Sequence, residues 1–133
     1  MIARLGLIAT LALFLGLLGA CGEQAVQDDT PSGAYRSFFD ELAKGNTQDA
    51  LEKLAPEGAL GSTFKGGSYY MLAREFDAQM ERHGNVEEII IDREDNYSDE
   101  EVMVEGRIVF RDGTEMPRGI RFTRENGRWV GHI

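Results

Sequence analysis

The chain has 133 residues with 14 basic and 23 acidic side chains, which gives a formal net charge of −9. This excess of acid disfavours nucleic acid as a partner, because that binding requires clustered Lys and Arg, and it disfavours adsorption on anionic lipid. The single cysteine, Cys21, excludes a disulfide within the chain.

The first 21 residues have the organisation of a bacterial export signal. A short positive segment precedes the uncharged apolar run 5–18, and small residues flank a cleavage site. The run is too short to span a membrane comfortably. The sequence Leu18-Gly19-Ala20-Cys21 resembles the lipobox of bacterial lipoproteins, in which the cysteine is acylated and the chain is cut before it. A free thiol after an ordinary signal peptide is the alternative.

The lipobox resemblance implies a lipoprotein of the bacterial cell envelope that faces the periplasm and has the membrane as partner through its lipid anchor at Cys21. Gly22 stands where an Asp resembles an inner-membrane retention signal, which favours the outer over the inner membrane. We therefore assign residues 1–20 to a cleaved signal peptide. Residues 21–30 are expected to be the lipidated cysteine and a flexible tether, and residues 31–133 a single domain.

Two helices are predicted at the start of this domain. Thr30 is a good N-cap, and Pro31 suits the first turn of a helix that Gly45 ends. Apolar residues recur along it at helical spacing: Tyr35, Phe38, Phe39 and Leu42. Asn46 or Thr47 then caps a second, shorter helix.

A third helix is predicted after a glycine-rich connection over residues 57–67. Ser68 opens it, and Gly84 ends it. Its apolar residues recur at intervals of three and four: Tyr69, Leu72, Phe76 and Met80.

The second half of the domain alternates between apolar and polar residues, which predicts strands. Four strands are expected, over residues 86–91, 102–110, 116–124 and 128–133. The loops that join them lie at residues 92–101, at Asp112-Gly113 and at Asn126-Gly127, and such short links imply antiparallel neighbours.

Register follows from the turns. A two-residue turn at 126–127 pairs Phe122 with Gly131 and Arg124 with Trp129, which puts the apolar residues of both strands on one face.

The preceding hairpin does not allow a two-residue turn, because such a turn sets apolar residues opposite polar ones. A shift of one residue pairs Phe110 with Met116 and Val104 with Phe122. We therefore predict an odd loop or a bulge, with Gly113 in the left-handed conformation.

These elements predict an α+β fold in which N-terminal helices pack on a curved, four-stranded antiparallel sheet. The face towards the helices is expected to carry Val102, Val104, Ile108, Phe110, Met116, Ile120, Phe122 and Trp129. The solvent face is expected to carry Glu105, Arg107, Arg121, Thr123 and His132.

This order of elements resembles the cone-shaped nuclear transport factor 2-like superfamily, and in particular its small bacterial lipoproteins with domains of unknown function. The neighbouring cystatin-like or lumazine-binding-like cone is the alternative. The resemblance rests on Thr30-Pro31, Phe38-Phe39, Leu42, Gly45-Asn46, Ala50 and Asn126-Gly127-Arg128-Trp129-Val130. These are packing and turn residues, so they indicate the fold and not an activity.

Enzymes of that superfamily resemble one another in placing Asp or His with Tyr in the pocket between helices and sheet. Here His83 falls in the last turn of the third helix and His132 on the solvent face, and we expect neither to have an orienting carboxylate. No catalytic residue is therefore predicted, and the chain is expected not to be an enzyme.

No metal or cofactor is expected either. The acidic segment 92–101 could offer oxygen ligands to Ca²⁺, but Tyr97 and Met103 stand where a calcium loop needs Gly and Glu, so a solvated acidic loop is predicted. Residues 61–68 mimic the glycine spacing of a phosphate-binding loop, but Gly67 replaces its lysine.

Two functions stay open. The first is a non-catalytic module that binds another component of the envelope, such as a protein. The second is a carrier or sensor of a small apolar ligand in the cone, in a candidate pocket of Tyr69, Tyr70, Phe76, Met80 and Trp129. A filled cone favours the first function, and an apolar pocket of roughly 300 Å³ or more favours the second.

Overall fold

The computed structural model describes residues 30–61 and 63–133. The predicted signal peptide, Cys21 and nearly all of the tether lie outside the described residues. The helices are α1 (Pro31–Ala43), α2 (Thr47–Leu54) and α3 (Thr63–His83), with a 3₁₀ turn at Ala59–Gly61. The strands are β1 (Val86–Ser98), β2 (Glu101–Phe110), β3 (Glu115–Glu125) and β4 (Arg128–His132). They form one antiparallel sheet in the order β1-β2-β3-β4, which confirms the predicted α+β class.

The ends of α1 and α2 are held by side chains. Thr30 Oγ1 accepts the Gly33 N–H at 2.9 Å, as expected of the predicted N-cap. Arg128 donates from Nη1 to the Lys53 carbonyl at 2.6 Å and from Nη2 to the Ala55 carbonyl at 3.0 Å. These bonds satisfy carbonyls at the end of α2 and attach that helix to β4.

The predicted start of the third helix was wrong, because α3 begins at Thr63 and not at Ser68. Glycines usually weaken a helix, which is why the glycine-rich segment predicts a connection. In the structure, Gly66 lies against the 3₁₀ turn, where a Cβ atom would come within 2.6 Å of the Leu60 carbonyl oxygen. Because Gly66 has no side chain, the backbone of the 3₁₀ turn can pack closely against the backbone of α3, and the helix continues without a break.

The predicted acidic loop at residues 92–101 was also wrong, because β1 continues to Ser98 and pairs with β2 along its whole length. Together the two strands form a long hairpin arm with β-bulges. Arg93 bonds to Asp95 at 2.9 Å and forms an ion pair with Glu105 on the facing strand. Cross-strand pairing of this kind overrides the low strand propensity of acidic residues.

The β2–β3 loop confirms the predicted irregularity and corrects the register. Residues 111–113 form the loop, Gly113 has φ +91°, and the Phe110 N–H donates to the Thr114 carbonyl at 2.9 Å. The predicted partners were wrong by two residues, because Met116 pairs with Ile108. Val104 likewise pairs with Ile120, not with Phe122. A three-residue loop with a left-handed glycine keeps the apolar faces matched, as the predicted bulge would have done.

The last hairpin has the predicted register, with Phe122 opposite Gly131 and Arg124 opposite Trp129. Its turn residues, Asn126 and Gly127, both have positive φ, as a two-residue turn of this type requires.

Seven of the eight predicted inner residues are buried, and Trp129 is half-buried. Val130 departs from the prediction, because it lies opposite Thr123 on the other face and is nevertheless 1% exposed. The interior between sheet and helices is filled by the largest fully buried side chains: Tyr35, Phe39, Phe76, Phe110, Phe122, Leu42, Leu51 and Ile108. The cone is therefore packed and not hollow.

Tyr35 links α1 to the centre of the sheet. Its ring lies over Gly106, where a Cβ atom would meet the Ile90 carbonyl oxygen and lie 3.0 Å from the Tyr35 hydroxyl. The hydroxyl donates to the Arg118 carbonyl at 2.8 Å, and burial raises the pKa of the phenol. Gly106 therefore leaves the space that this tyrosine fills.

Candidate binding grooves

A first groove opens between α1, α2 and β4. It has a volume of about 260 Å³. Its lining residues are Ala34, Ser37, Phe38, Glu41, Ala50, Lys53, Leu54, Arg128 and Trp129. The Arg124 guanidinium lies 5.4 Å from the centre of the Trp129 ring, which fixes the outer side of that ring by a cation–π contact.

The five residues of the predicted pocket are distributed over different surroundings. Trp129 lines the first groove, whereas Phe76 is fully buried and its ring centre lies 5.7 Å from that of Phe39. Tyr69 is buried and donates its hydroxyl to the Gly131 carbonyl at 2.6 Å. Met80 packs at the edge of the core.

Tyr70, the fifth of these residues, is exposed, and its hydroxyl lies 3.4 Å from Gln48 Oε1. Burial, as the main cause, raises the pKa of the Tyr69 phenol. The five side chains therefore do not form one cavity, because three of them pack in or against the core, Trp129 lines the first groove and Tyr70 is exposed.

A second groove lies between α3 and β3, and none of the five residues of the predicted pocket lines it. It has a volume of about 530 Å³. Its lining residues are Ser68, Met71, Leu72, Arg74, Glu75, Arg118, Gly119, Ile120 and Ile133. Met71 is 68% exposed and Ile133 44% exposed, so two large apolar side chains border the groove in contact with solvent.

Glu75 and Arg118 both line the second groove, and the ion pair between them joins α3 to β3. A signal for this groove was present in the sequence, since Met71 is a large apolar residue off the predicted apolar stripe of its helix. An apolar residue off the stripe indicates an additional apolar surface on α3, but it does not show which strand lies opposite that surface.

The expectation that His83 has no orienting carboxylate was wrong. Its Nδ1 lies 2.7 Å from Asp112 Oδ2 and 3.2 Å from Thr114 Oγ1. The Thr114 N–H bonds to Asp112 Oδ1 at 2.9 Å; this bond, followed by the one from His83, lowers the pKa of Asp112 to about 2. The cluster ties the end of α3 to the β2–β3 loop.

His132 lies on the solvent face, as predicted, but it also has polar neighbours. Its Nε2 lies 2.7 Å from Thr123 Oγ1 and 3.7 Å from Glu125 Oε2. Both histidines are therefore part of local polar clusters on the surface.

Among residues 30–61 and 63–133, no group of three or more His, Cys, Asp or Glu side chains has the arrangement of a metal site. In the same part of the chain, no helix is both long and apolar enough to cross a membrane.

No family model matches the chain, and no curated protein sequence matches it. Solved structures do. A Campylobacter jejuni protein provisionally named an NTF2-like transpeptidase matches with a TM-score of 0.64 and 15% identity, over 78% of this chain and 98% of that one. This chain has the nuclear transport factor 2-like fold.

A SEC-C motif containing protein from Rhodopseudomonas palustris also matches, with a lower TM-score. Its TM-score is 0.51 at 18% identity, over 79% of this chain and 77% of that one. At such low identity, a likeness to solved structures indicates the fold alone, because this fold carries many unrelated functions.

Proposed function

We propose that the chain is a lipid-anchored protein of the bacterial cell envelope whose domain is a non-catalytic interaction module. The observation that carries the proposal is the packed interior of the cone. The family resemblance implies a pocket between helices and sheet, but here aromatic and aliphatic side chains fill that space. Among the described residues, no charged side chain is buried, so the core offers no desolvated acid or base.

A small apolar ligand in the cone is the weaker candidate. The first groove holds about 260 Å³, which is below the roughly 300 Å³ at which ligand pockets begin. The second groove is larger, but the exposure of Met71 and Ile133 places it at the surface. A surface groove bordered by apolar side chains suits a protein segment better than an enclosed small molecule.

The name of the Campylobacter protein raises transpeptidation as a further candidate. That reaction needs a nucleophile with an adjacent base. The one cysteine of this chain is Cys21, which we assign to lipidation. Asp112 and the Thr114 hydroxyl both lie against the same nitrogen of His83, so this cluster holds the ring and does not present a hydroxyl to a free ring nitrogen. We therefore propose a non-catalytic role.

The test combines fractionation and crosslinking in cells with the full-length protein. The parent should be in the membrane fraction and should crosslink to a defined envelope protein, whereas Cys21→Ala should move to the soluble fraction and lose that crosslink. Retention of Cys21→Ala in a salt-washed membrane pellet would refute the anchor. A small molecule that copurifies with the parent in equal amount would favour the carrier function instead.

A further inference from the structure

β3 is paired on both sides along only part of its length. On one side it pairs with β2 over residues 115–123. On the other side β4 covers residues 121–125. Within the part of the chain that the structure describes, residues 115–119 thus lack a strand on the β4 side, and the second groove lies there.

The turn at residues 126–127 determines which backbone groups point into this space. In a two-residue hairpin, Glu125 and Arg128 form the first hydrogen-bonded pair, so every second residue of β3 directs its N–H and C=O towards β4. The Arg124 N–H accordingly points the other way, to the Glu100 carbonyl at 2.9 Å. The same alternation continues along β3, so the N–H and C=O groups of Gly119 point towards the groove.

Pro117 and Glu115 belong to the same series. Pro117 has no N–H, and its carbonyl accepts Nη1 of Arg118 at 2.8 Å. The unpaired backbone donors along this edge therefore belong to Gly119 and Glu115. The spacing of these two N–H groups along β3 allows both to donate to one antiparallel strand that pairs with this edge.

We propose that the second groove binds an extended segment of a partner protein, which adds to β3 beyond the end of β4. The proposal rests on the proposed function as an interaction module and names its surface and the kind of partner. β4 already occupies the same edge of β3, so a further strand continues an interface that the fold contains. Met71 on α3 and Ile133 flank its path with exposed apolar surface.

The groove also indicates the composition of the segment. Apolar side chains on the face towards α3 would contact Met71 and Ile133. Arg118 is already paired with Glu75, whereas Arg74 is exposed on the rim, so an acidic residue of the segment would meet a positive charge there.

A second copy of this chain fits the edge less well. Two β3 edges related by a two-fold axis, with Gly119 opposite Glu115, would place Pro117 opposite Pro117. Neither proline has an N–H, so the centre of that pairing would have no hydrogen bond. The edge therefore favours a different sequence as its partner.

The test uses the full-length protein, purified in detergent, and a phage-displayed library of random dodecapeptides. Enriched peptides should alternate apolar residues and carry an acid. On binding, they should slow amide hydrogen exchange at Gly119 and Glu115. Met71→Asp and Gly119→Pro should each raise the peptide Kd at least tenfold. The matched control is Tyr97→Asp on the hairpin arm, where the tyrosine is 62% exposed, and it should leave the Kd unchanged.

Gly119→Pro removes an N–H that faces the groove and leaves the β2 ladder intact. If it fails to fold, Met71→Asp decides the test, because its side chain is largely in solvent. No enrichment, peptides that protect other amides, or a Kd unaffected by Met71→Asp would overturn the proposal. Self-association that Met71→Asp abolishes would assign the groove to a second copy and overturn it too. If the full-length protein still crosslinked in cells to an envelope protein through another surface, the proposed function would stand although this groove was not its binding site.

Discussion

Two adjacent glycines in α3 should respond to alanine with opposite signs. Alanine is favoured over glycine in a helix interior by about 0.5–1 kcal/mol. A Cβ atom at Gly67 meets nothing within 4 Å, so Gly67→Ala should stabilise the fold by about that amount. A Cβ atom at Gly66 would lie 2.6 Å from the Leu60 carbonyl oxygen. This oxygen belongs to the main chain, so it cannot rotate out of the way as the end of a flexible side chain could. Overpacking of this kind costs about 1–3 kcal/mol, so after the helix gain is subtracted the net loss is up to about 2.5 kcal/mol.

The measurement is urea unfolding followed by circular dichroism, with thermal unfolding as a second probe. The two variants should differ by the overpacking cost of about 1–3 kcal/mol, because the gain from helix propensity is common to both. Since 1 kcal/mol corresponds to about 4–8 °C in Tm for a domain of this size, the difference is easily resolved. Equal stabilisation by both substitutions would refute the close packing of α3 on the turn at Ala59–Gly61, and with it the early start of the helix.

Three further perturbations test the core, the loop cluster and the first groove. Tyr35→Phe should cost about 0.5–1.5 kcal/mol, because it removes the hydrogen bond from the Tyr35 hydroxyl to the Arg118 carbonyl, whereas Tyr97→Phe on the exposed arm should change the unfolding midpoint little. Asp112 has a folded pKa of about 2, below its usual value, so it stabilises the fold above pH 4 and loses that effect as the pH falls towards 2. Asp112→Asn should therefore flatten the urea midpoint profile between pH 4 and pH 2, and an unchanged profile would contradict the cluster. Trp129→Ala should cost about 1–3 kcal/mol, less than a fully buried tryptophan, and a loss below about 0.5 kcal/mol would show that its ring does not pack against α1 and α2.

The sequence by itself determined the features that depend on a few neighbouring residues. Thr30 caps α1 through an N–H three residues away, and Asn126-Gly127 sets the register of the last hairpin through its own positive φ angles. The alternation of β2 likewise identified the buried face, because one side of a half-buried strand must be apolar. In each case the interaction that decides the structure lies within one short segment of the chain.

The tertiary structure alone decided the remaining features. Residues 92–98 have polar, acidic side chains, yet they extend β1 because β2 supplies hydrogen bonds and a facing Glu105 for Arg93. Gly66 lies within α3 with the Leu60 backbone close against it, and His83 meets Asp112 only after α3 and the β2–β3 loop are brought together. Propensities amount to less than about 1 kcal/mol per residue. Hydrogen bonds and packing contacts between distant segments together exceed that amount, and they exist only once the chain has folded.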